Sequence, residues 1–139
     1  MNRSKRLVSV IPFILSLIFV NSIARGTEPI RGADEVKDFL ETYRAGAADG
    51  VAEDQYNLGA SYRWGVGIPR NASLAAQWIR KAADQGYPLA ERILGEMYEK
   101  GEGLPVSNVD ALLWYKRAAL TGDPLAQQAF NALKVKIQP

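Results

Sequence analysis

Apolar and small side chains recur along this chain at intervals of three and four residues, the spacing that places them on one face of an α-helix. Leu58 and Tyr62 form one such pair and Leu94 and Tyr98 another, while alanine and tryptophan recur at helical spacing farther along each segment. The pattern predicts helices over residues 34–48, 52–63, 88–99 and 124–136, with two further helices opening at Asn71 and Ser107.

The chain also repeats itself with a period of 36 residues. Residues 52–87 and 88–123 align without a gap and share eleven identities, all of them glycine, proline, alanine, aromatic or leucine. These residue types decide backbone geometry and packing, so the identities indicate one structural unit used twice. The identical pairs are Leu58/Leu94, Gly59/Gly95, Tyr62/Tyr98, Gly65/Gly101, Gly67/Gly103, Pro69/Pro105, Ala75/Ala111, Trp78/Trp114, Ala82/Ala118, Ala83/Ala119 and Gly86/Gly122.

Each copy carries the signals of two helices joined by a loop. Glycine and proline interrupt the first helix at 65–69 and at 101–105, because proline cannot continue the hydrogen-bond ladder. Asn71 and Ser107 then stand at equivalent N-cap positions. Each copy is therefore predicted to be a helical hairpin.

Another pair of glycines, Gly86 and Gly122, follows the second helix of each copy. Glycine is the residue that most often stands at the C-terminal end of a helix. We therefore expect Gly86 and Gly122 to close the second helices as part of the repeated structural frame.

Each first helix contains a glycine in its interior, Gly59 in the first copy and Gly95 in the second. Glycine inside a helix costs about 1 kcal/mol relative to alanine, so its presence in both copies indicates that a side chain there would strike the facing helix. We therefore expect both glycines at helix crossing points. Trp78 and Trp114, which share one register, are expected in the core.

The register continues beyond the two copies. Gly50 lies 36 residues before Gly86, and a helix containing Phe39 and Tyr43 corresponds to the second helix of a degenerate upstream unit. A helix beginning at Pro124 corresponds to the first helix of a third unit. The predicted fold is an all-α solenoid of about six helices, with a capping helix at 34–50, repeats at 51–86 and 87–122, and a C-terminal capping helix at 123–137.

The pattern Leu-Gly-x-x-Tyr-x-x-Gly-x-Gly, then a capping residue, then Ala-x-x-Trp-x-x-Lys/Arg-Ala-Ala-x-x-Gly resembles the Sel1-like repeat (SLR), a relative of the tetratricopeptide repeat with a longer inter-helix loop. The resemblance spans nearly all of residues 34–136 and implies a short right-handed, tetratricopeptide-like α-solenoid. Three positions depart from the family pattern. Asp54 replaces an alanine, and Asn131 and Lys134 replace the glycine and tyrosine of the last helix, which suggests that the ends are caps.

The first 24 residues have the layout of a secretory signal peptide, with a basic head, an apolar run from Leu7 to Val20 and the small-residue end Ser22-Ile23-Ala24. The run is shorter than the ~20 residues of a membrane-spanning helix. We therefore expect cleavage after Ala24, a flexible N-terminus over 25–33 and a periplasmic or secreted domain over 34–139. An uncleaved membrane anchor is the alternative.

Charge and cysteine content narrow the classes of partner. Three of the 17 basic residues lie in the leader, so the remaining 14 face 15 acidic residues and leave a net charge of −1. Basic and acidic residues are interspersed, whereas a nucleic-acid footprint needs clustered Lys and Arg. We expect no nucleic-acid partner, and no membrane contact once the leader is removed. The chain has no Cys, so packing must stabilise it without disulfides.

No catalytic constellation stands out. The absence of His and Cys removes histidine-based triads, thiol nucleophiles and imidazole or thiolate zinc sites. Paired carboxylates such as Glu96/Glu99 and Glu99/Glu102 are expected to be solvated charges, because acid–base catalysis needs a cleft that shifts a pKa. The sequence therefore predicts no enzyme activity, no cofactor and no metal.

Stacked helix pairs present their first helices on a concave surface, which repeat proteins use for binding. The side chains expected to face this concave surface differ almost completely between the two copies, whereas the eleven structural positions are identical. By resemblance to the tetratricopeptide arrangement, the side chains facing this surface are Glu53, Tyr56, Ala60, Arg63 and Trp64 in the first copy and Leu89, Arg92, Glu96, Glu99 and Lys100 in the second.

Trp64 is the strongest candidate contact. Its counterpart is Lys100, so the scaffold does not require an indole there, and tryptophan beside arginine is a frequent anchor of protein interfaces. The alternative is that Trp64 packs on the upstream helix near Phe39 or Tyr43.

Three classes of function remain open from the sequence. The favoured one is an exported, periplasmic adaptor that binds another protein of unknown identity and regulates an envelope protein, assists secretion or assembly, or neutralises a toxin. The second is a module that binds or hydrolyses peptidoglycan, with groove carboxylates as catalysts and Tyr56 and Trp64 as a sugar platform. The third is a small stabilising subunit held at the membrane by an uncleaved leader.

Overall fold

The computed structural model describes residues 31–138, which form six α-helices. The predicted signal peptide and its cleavage site lie outside the described residues. No helix of the described part is long and apolar enough to cross a bilayer. The helices are α1 (Arg31–Ala48), α2 (Ala52–Trp64), α3 (Ala72–Asp84), α4 (Pro88–Lys100), α5 (Asn108–Leu120) and α6 (Pro124–Ile137).

From α2 onward, each helix packs against the next one in the chain, and the packing described below lies within the compact unit that begins at Asp38. The predicted all-α solenoid of helical hairpins is confirmed. The element bounds differ slightly from those expected: α1 begins at Arg31 and so overlaps the segment predicted to be flexible, and α2 and α4 each run one residue further.

The first helix of each copy ends at a glycine in the left-handed conformation, at the same position of the repeat. Gly65 and Gly101 have φ values of 72° and 71°, and their N–H groups donate to the carbonyls of Ser61 and Met97. Glycine adopts this conformation without a Cβ penalty. Both loops therefore leave their helices in the same direction, which is why the second helices start at equivalent positions.

Gly86 and Gly122 close the second helices, as expected: their N–H groups donate to the carbonyls of Ala83 and Ala119, and both adopt the left-handed conformation found one residue after a helix cap. α3 ends at Asp84 and α5 at Leu120, whereas Gly86 and Gly122 lie in the turns that follow. Both glycines are exposed, and a Cβ added to either would meet nothing within 4 Å. Gly86 and Gly122 therefore serve the repeated frame through their backbone conformation and not through packing. What repeats there is the backbone turn, with φ values of 80° and 93°, that leads into the next helix.

Side chains cap the helices that follow the loops. The Oδ1 atom of Asn71 accepts a hydrogen bond from the Leu74 N–H at 3.0 Å, and the Oγ atom of Ser107 accepts one from the Asp110 N–H at 3.2 Å. Asp123 caps α6 through the N–H groups of Leu125 and Ala126. The predicted N-caps Asn71 and Ser107 are confirmed.

The main core lies where the first hairpin meets the second. α3 contributes mostly alanine, whose short side chain lets neighbouring helices approach closely. A smaller cluster, Ala111, Tyr115 and Leu133, joins α5 to α6. The buried residues of the main cluster are Ala75, Ala76, Ile79, Ala82, Ala83, Ala90, Ile93, Leu94, Met97 and Trp114.

Gly59 and Gly95 lie at the helix crossings, as predicted. A Cβ added to Gly59 would lie 2.8 Å from Cγ1 of Ile79 and 3.0 Å from its backbone nitrogen. A Cβ added to Gly95 would lie 2.7 Å from the ring of Tyr115. Ile79 and Tyr115 are themselves 36 residues apart, so both hairpins close through the same contact with different residues.

The unusual Asp54 has a structural explanation in α1. A Cβ on Gly46 would collide with the Asp54 carboxylate. One period later the two positions are Ala82 and Ala90, both fully buried. The pair Gly46 and Asp54 thus takes the place of the pair Ala82 and Ala90. The larger Asp54 side chain fits because Gly46 opposite it has no Cβ.

The expectation of a core position for both tryptophans is wrong for Trp78. Trp114 is buried with 6% exposure, whereas Trp78 is half-buried with the ammonium of Lys81 4.0 Å from its ring centroid. Trp114 belongs to a cluster that includes Ala76. The residue equivalent to Ala76 in the upstream unit is Leu40, so the upstream unit does not repeat the alanine that shares a cluster with Trp114.

A substitution at Gly95 tests the crossing contact by the sign of its effect. Alanine raises helix propensity by about 1 kcal/mol, so at an open position Gly95→Ala would stabilise the domain. Because the new Cβ would press on Tyr115, we expect a loss of about 1–3 kcal/mol instead, and we expect Gly95→Leu to abolish the cooperative thermal melt. The control is Asn131→Ala at the equivalent, exposed position of α6, which should shift the melting temperature little. A higher melting temperature for Gly95→Ala would contradict the contact.

The Gly46–Asp54 contact predicts a compensating pair. Gly46→Ala alone should lower the melting temperature, because the methyl group meets the carboxylate. Adding Asp54→Ala recreates the Ala82/Ala90 arrangement and should restore stability, with a coupling of about 1 kcal/mol or more in a double-mutant cycle. Additive effects of the two substitutions would show that they do not share a contact.

Candidate functional site

Five charged side chains form a continuous series of ion pairs along the first helices and the segments that flank them. Nε of Arg63 lies 2.7 Å from Oε2 of Glu102, and Nη2 of Arg63 lies 3.3 Å from Oε2 of Glu96. Nη1 of Arg92 lies 3.1 Å from the other Glu96 oxygen, and its Nε lies 2.8 Å from Oδ2 of Asp123. This ion-pair chain links α2, α4 and the cap of α6.

Arg63 is the most buried member of the ion-pair chain, with 6% of its side chain exposed. Burial opposes its charge, but the hydrogen bonds and charges of Glu102 and Glu96 outweigh that cost and raise the pKa of Arg63. The same contact lowers the pKa of Glu102, against a smaller effect of burial. Both groups therefore stay ionised at neutral pH.

Tyr56 lies between the ion-pair chain and the aromatic part of the core. Its ring centroid is 5.3 Å from that of Tyr87, at an interplanar angle of 45°. Burial raises the pKa of Tyr56, and the nearby charges of Arg92 and Arg63 act against that shift. The structure thus brings Tyr56, Arg63, Arg92 and Glu96 together on one side of the hairpins.

Four of the other predicted contact residues are open to solvent, whereas Ala60 and Glu99 are partly buried. Trp64 is 57% exposed and Leu89 is 39% exposed, and Glu53 and Lys100 are exposed as well. The Arg63 guanidinium lies 5.3 Å from the Trp64 ring centroid, a cation–π distance. An indole this exposed is not packed on the upstream helix, so the alternative that placed Trp64 against Phe39 or Tyr43 is wrong.

Three carboxylates expected to be solvated have partners instead. Glu96 and Glu102 hold Arg63, and Glu99 accepts a hydrogen bond of 2.8 Å from the Tyr115 hydroxyl. Burial raises the pKa of Tyr115, and the hydrogen bond to Glu99 raises it further. Glu99 and Arg63 therefore serve the fold as well as lining the surface, whereas Trp64, Leu89, Glu53 and Lys100 are free to contact a partner.

Sequence reasoning missed several of these partners. Asp123 caps α6 through its Oδ1 atom, and its Oδ2 atom binds Arg92. Glu91 is buried, and its Oε1 atom lies 3.0 Å from Nε of Arg117; burial raises the pKa of Glu91 more than Arg117 lowers it. Gln55 precedes Glu91 by 36 residues, so the two copies do not share a pattern that could have revealed this ion pair.

Within residues 31–138, no group of three or more acidic, His or Cys side chains is placed to hold a metal ion.

The repeat is also recognised without comparing the two copies with each other. Residues 52–87 and 88–123, the two segments that align with each other, both match the Sel1 repeat model.

The chain belongs to the Sel1 repeat family. Sel1 repeat proteins mediate protein–protein interaction, and their fold is typically a non-catalytic scaffold. The two hairpins, with their left-handed glycines and glycine crossings, are therefore the defining units of this Sel1 repeat protein.

Solved structures and a curated relative place the fold among bacterial proteins. A protective antigen of uropathogenic Escherichia coli with an SLR fold gives a TM-score of 0.69 at 34% identity, over 71% of this chain and 21% of that one. A Sel1 repeat protein from Oxalobacter formigenes gives a TM-score of 0.64 at 34% sequence identity. This match covers 65% of the present chain and 68% of the Oxalobacter chain. An uncharacterised protein of Neisseria meningitidis serogroup B is 43% identical over an alignment 56 residues long, which covers 37% of this chain and 12% of that protein. The chain thus spans only a small part of the antigen and of the Neisseria protein.

The lowered pKa of Glu102 predicts a specific acid sensitivity. A carboxyl whose pKa is lower in the folded state contributes stability above its ordinary value of about 4.3, and this contribution is lost as the pH falls through the folded value. Between about pH 6 and about pH 3, Glu102→Gln should therefore lose less melting temperature than the unmodified protein. The control variant Glu53→Gln removes an exposed carboxylate without an ion pair among the described residues and should keep the full loss. Equal losses in all three proteins would contradict the assignment.

Proposed function

We propose that this Sel1 repeat protein binds another protein through the first-helix surface, which we define by the exposed residues Glu53, Trp64, Leu89 and Lys100. The observation that carries the proposal is the exposure of Trp64, at 57%. The equivalent residue of the second copy is Lys100, so the fold does not need an indole there. A large, exposed aromatic side chain beside an arginine is a frequent anchor of protein interfaces.

The ion-pair chain supports this use of the surface because it holds the anchor in place. Arg63 is fixed by Glu96 and Glu102, and its guanidinium lies against the Trp64 ring. A side chain that is already ordered loses less conformational freedom on binding. The Trp64 indole thus lies beside an arginine whose position two carboxylates fix.

The proposed role is that of an exported adaptor that catalyses no reaction. The support for export is the signal-peptide layout of the first 24 residues; a periplasmic adaptor of this kind would regulate an envelope protein, assist secretion or assembly, or neutralise a toxin. A peptidoglycan-binding role has less support, because Tyr56, half of the suggested sugar platform, is half-buried against Tyr87.

Substitutions at Trp64 separate binding from folding. Trp64→Lys installs the residue that the second copy carries, and both it and Trp64→Ala should change the free energy of unfolding by only about 0.5 kcal/mol, as exposed substitutions usually do. Both variants should nevertheless lose capture of the partner from a native envelope extract. A large loss of stability would make Trp64 a structural residue and contradict the proposal.

Site-specific photo-crosslinking identifies the surface directly. A photoreactive residue at position 64 should crosslink a defined envelope protein, whereas the same residue at Gln77, exposed on α3, should not. Crosslinks from both positions to the same set of proteins would indicate non-specific contact. Crosslinking from Gln77 alone would place the interface on the second helices instead.

A further inference from the structure

The outer side of α5 carries an exposed aliphatic stripe. Val109, Leu113 and Leu120 are 77%, 53% and 78% exposed, and Lys116 on the same side is exposed too. The opposite side of the helix packs into the core through Ala111, Tyr115 and Ala118. We call Val109, Leu113, Lys116 and Leu120 the α5 stripe.

The first copy shows that the fold does not require this stripe. At the four equivalent positions of α3 the side chains are polar or charged, although the positions Ala75/Ala111, Ile79/Tyr115 and Ala82/Ala118 are buried in both helices. Solvent-exposed aliphatic residues in a row indicate an interaction surface. The equivalent pairs are Ser73/Val109, Gln77/Leu113, Arg80/Lys116 and Asp84/Leu120.

The stripe has the spacing of a coiled-coil seam. Its members follow one another at intervals of four, three and four residues, the alternation of the a and d positions of a heptad. The spacing is also symmetric about a point between Trp114 and Tyr115. When two α5 helices run antiparallel about that point, Val109 of each faces Leu120 of the other, and Leu113 faces the aliphatic stem of Lys116.

The charges beside the stripe favour the antiparallel direction. Asp110 lies next to Val109 and Lys116 lies on the stripe, and neither has an ion-pair partner among the described residues. In an antiparallel pair, Lys116 of one copy faces Leu113 of the other, one helical turn from Asp110, and the two-fold axis repeats this approach of opposite charges. A parallel pair would instead place the two lysines side by side, which is unfavourable.

We propose that two copies of this chain associate through α5, antiparallel and about a two-fold axis, with the α5 stripe as a self-complementary interface. A single helix from each copy buries less than the roughly 1,200 Å² of a standard interface. The dimer is therefore weak and dependent on concentration. It uses the side of the hairpins opposite the core and does not rest on the first-helix surface.

Sedimentation velocity of the purified full chain over a hundredfold range of concentration tests the association. The variant carries the first copy's residues, Val109→Ser, Leu113→Gln and Leu120→Asp together, and its dimer association constant should fall by at least about tenfold. Both proteins have the same N-terminal segment, so association through that segment would persist in the variant. The control is Val135→Ser, which removes a valine that is 73% exposed on α6 and should leave the dimer unchanged.

Disulfide crosslinking tests the direction, and the absence of native Cys makes it unambiguous. Two single variants, Val109→Cys and Leu120→Cys, are oxidised separately and as a mixture. An antiparallel pair should give crosslinked dimers in the mixture and few in either variant alone. Crosslinking of each variant with itself would overturn the antiparallel arrangement.

Three further outcomes would overturn the proposal. The chain could remain monomeric throughout the concentration range, or the dimer could survive the triple substitution. The stripe could also serve a lipid surface: a monomer that floats with vesicles of anionic phospholipid, and loses this binding in the triple variant, would show that lipid and not a second copy covers α5.

Discussion

The close approach of two helices at a glycine is the constraint on which the rest of this structure depends. At Gly59 and Gly95 the facing side chains, Ile79 and Tyr115, occupy the space of the missing Cβ. This contact fixes the crossing of each hairpin, and the left-handed glycines at 65 and 101 fix the direction in which the chain leaves the first helix. Two hairpins with the same crossing and the same loop stack in a constant relation.

That constant relation explains how distant side chains come to share one surface. Arg63 and Glu102 are 39 residues apart in the chain, yet they form the shortest ion pair of the series that reaches Asp123. The pair exists because the loop of the second hairpin returns to the C-terminal end of α2. The same stacking places Glu91 of α4 beside Arg117 of α5. The charged network is thus a consequence of the aliphatic and glycine packing beneath it, and not an independent source of the fold.

The features that sequence predicted are those that short segments decide. The caps at Asn71 and Ser107, the helix ends at Gly65 and Gly101 and the crossings at two glycines depend on backbone geometry within one copy, so their repetition made them visible. The partners of Arg63 could not be predicted, because they depend on how two hairpins stack. The burial of Trp78 was mispredicted for a related reason: identity between the two copies does not extend to the unit upstream, where Leu40 stands in place of the alanine that shares a cluster with Trp114. The exposure of Trp64 needed the structure, since an aromatic residue at a helix end is compatible with either environment.

The two copies also show which positions can change one at a time. Arg63 and Glu99 are equivalent in register, yet the first is neutralised by Glu96 and Glu102 and the second accepts a bond from Tyr115. Each buried choice required a matching partner, because an unpaired charge in such a position costs several kcal/mol. Trp64 and Lys100, or Leu113 and Gln77, differ at exposed positions without any such compensation. Substitutions there leave the hairpins intact, so a repeat with a rigid frame can acquire a new binding surface through a few solvent-facing residues.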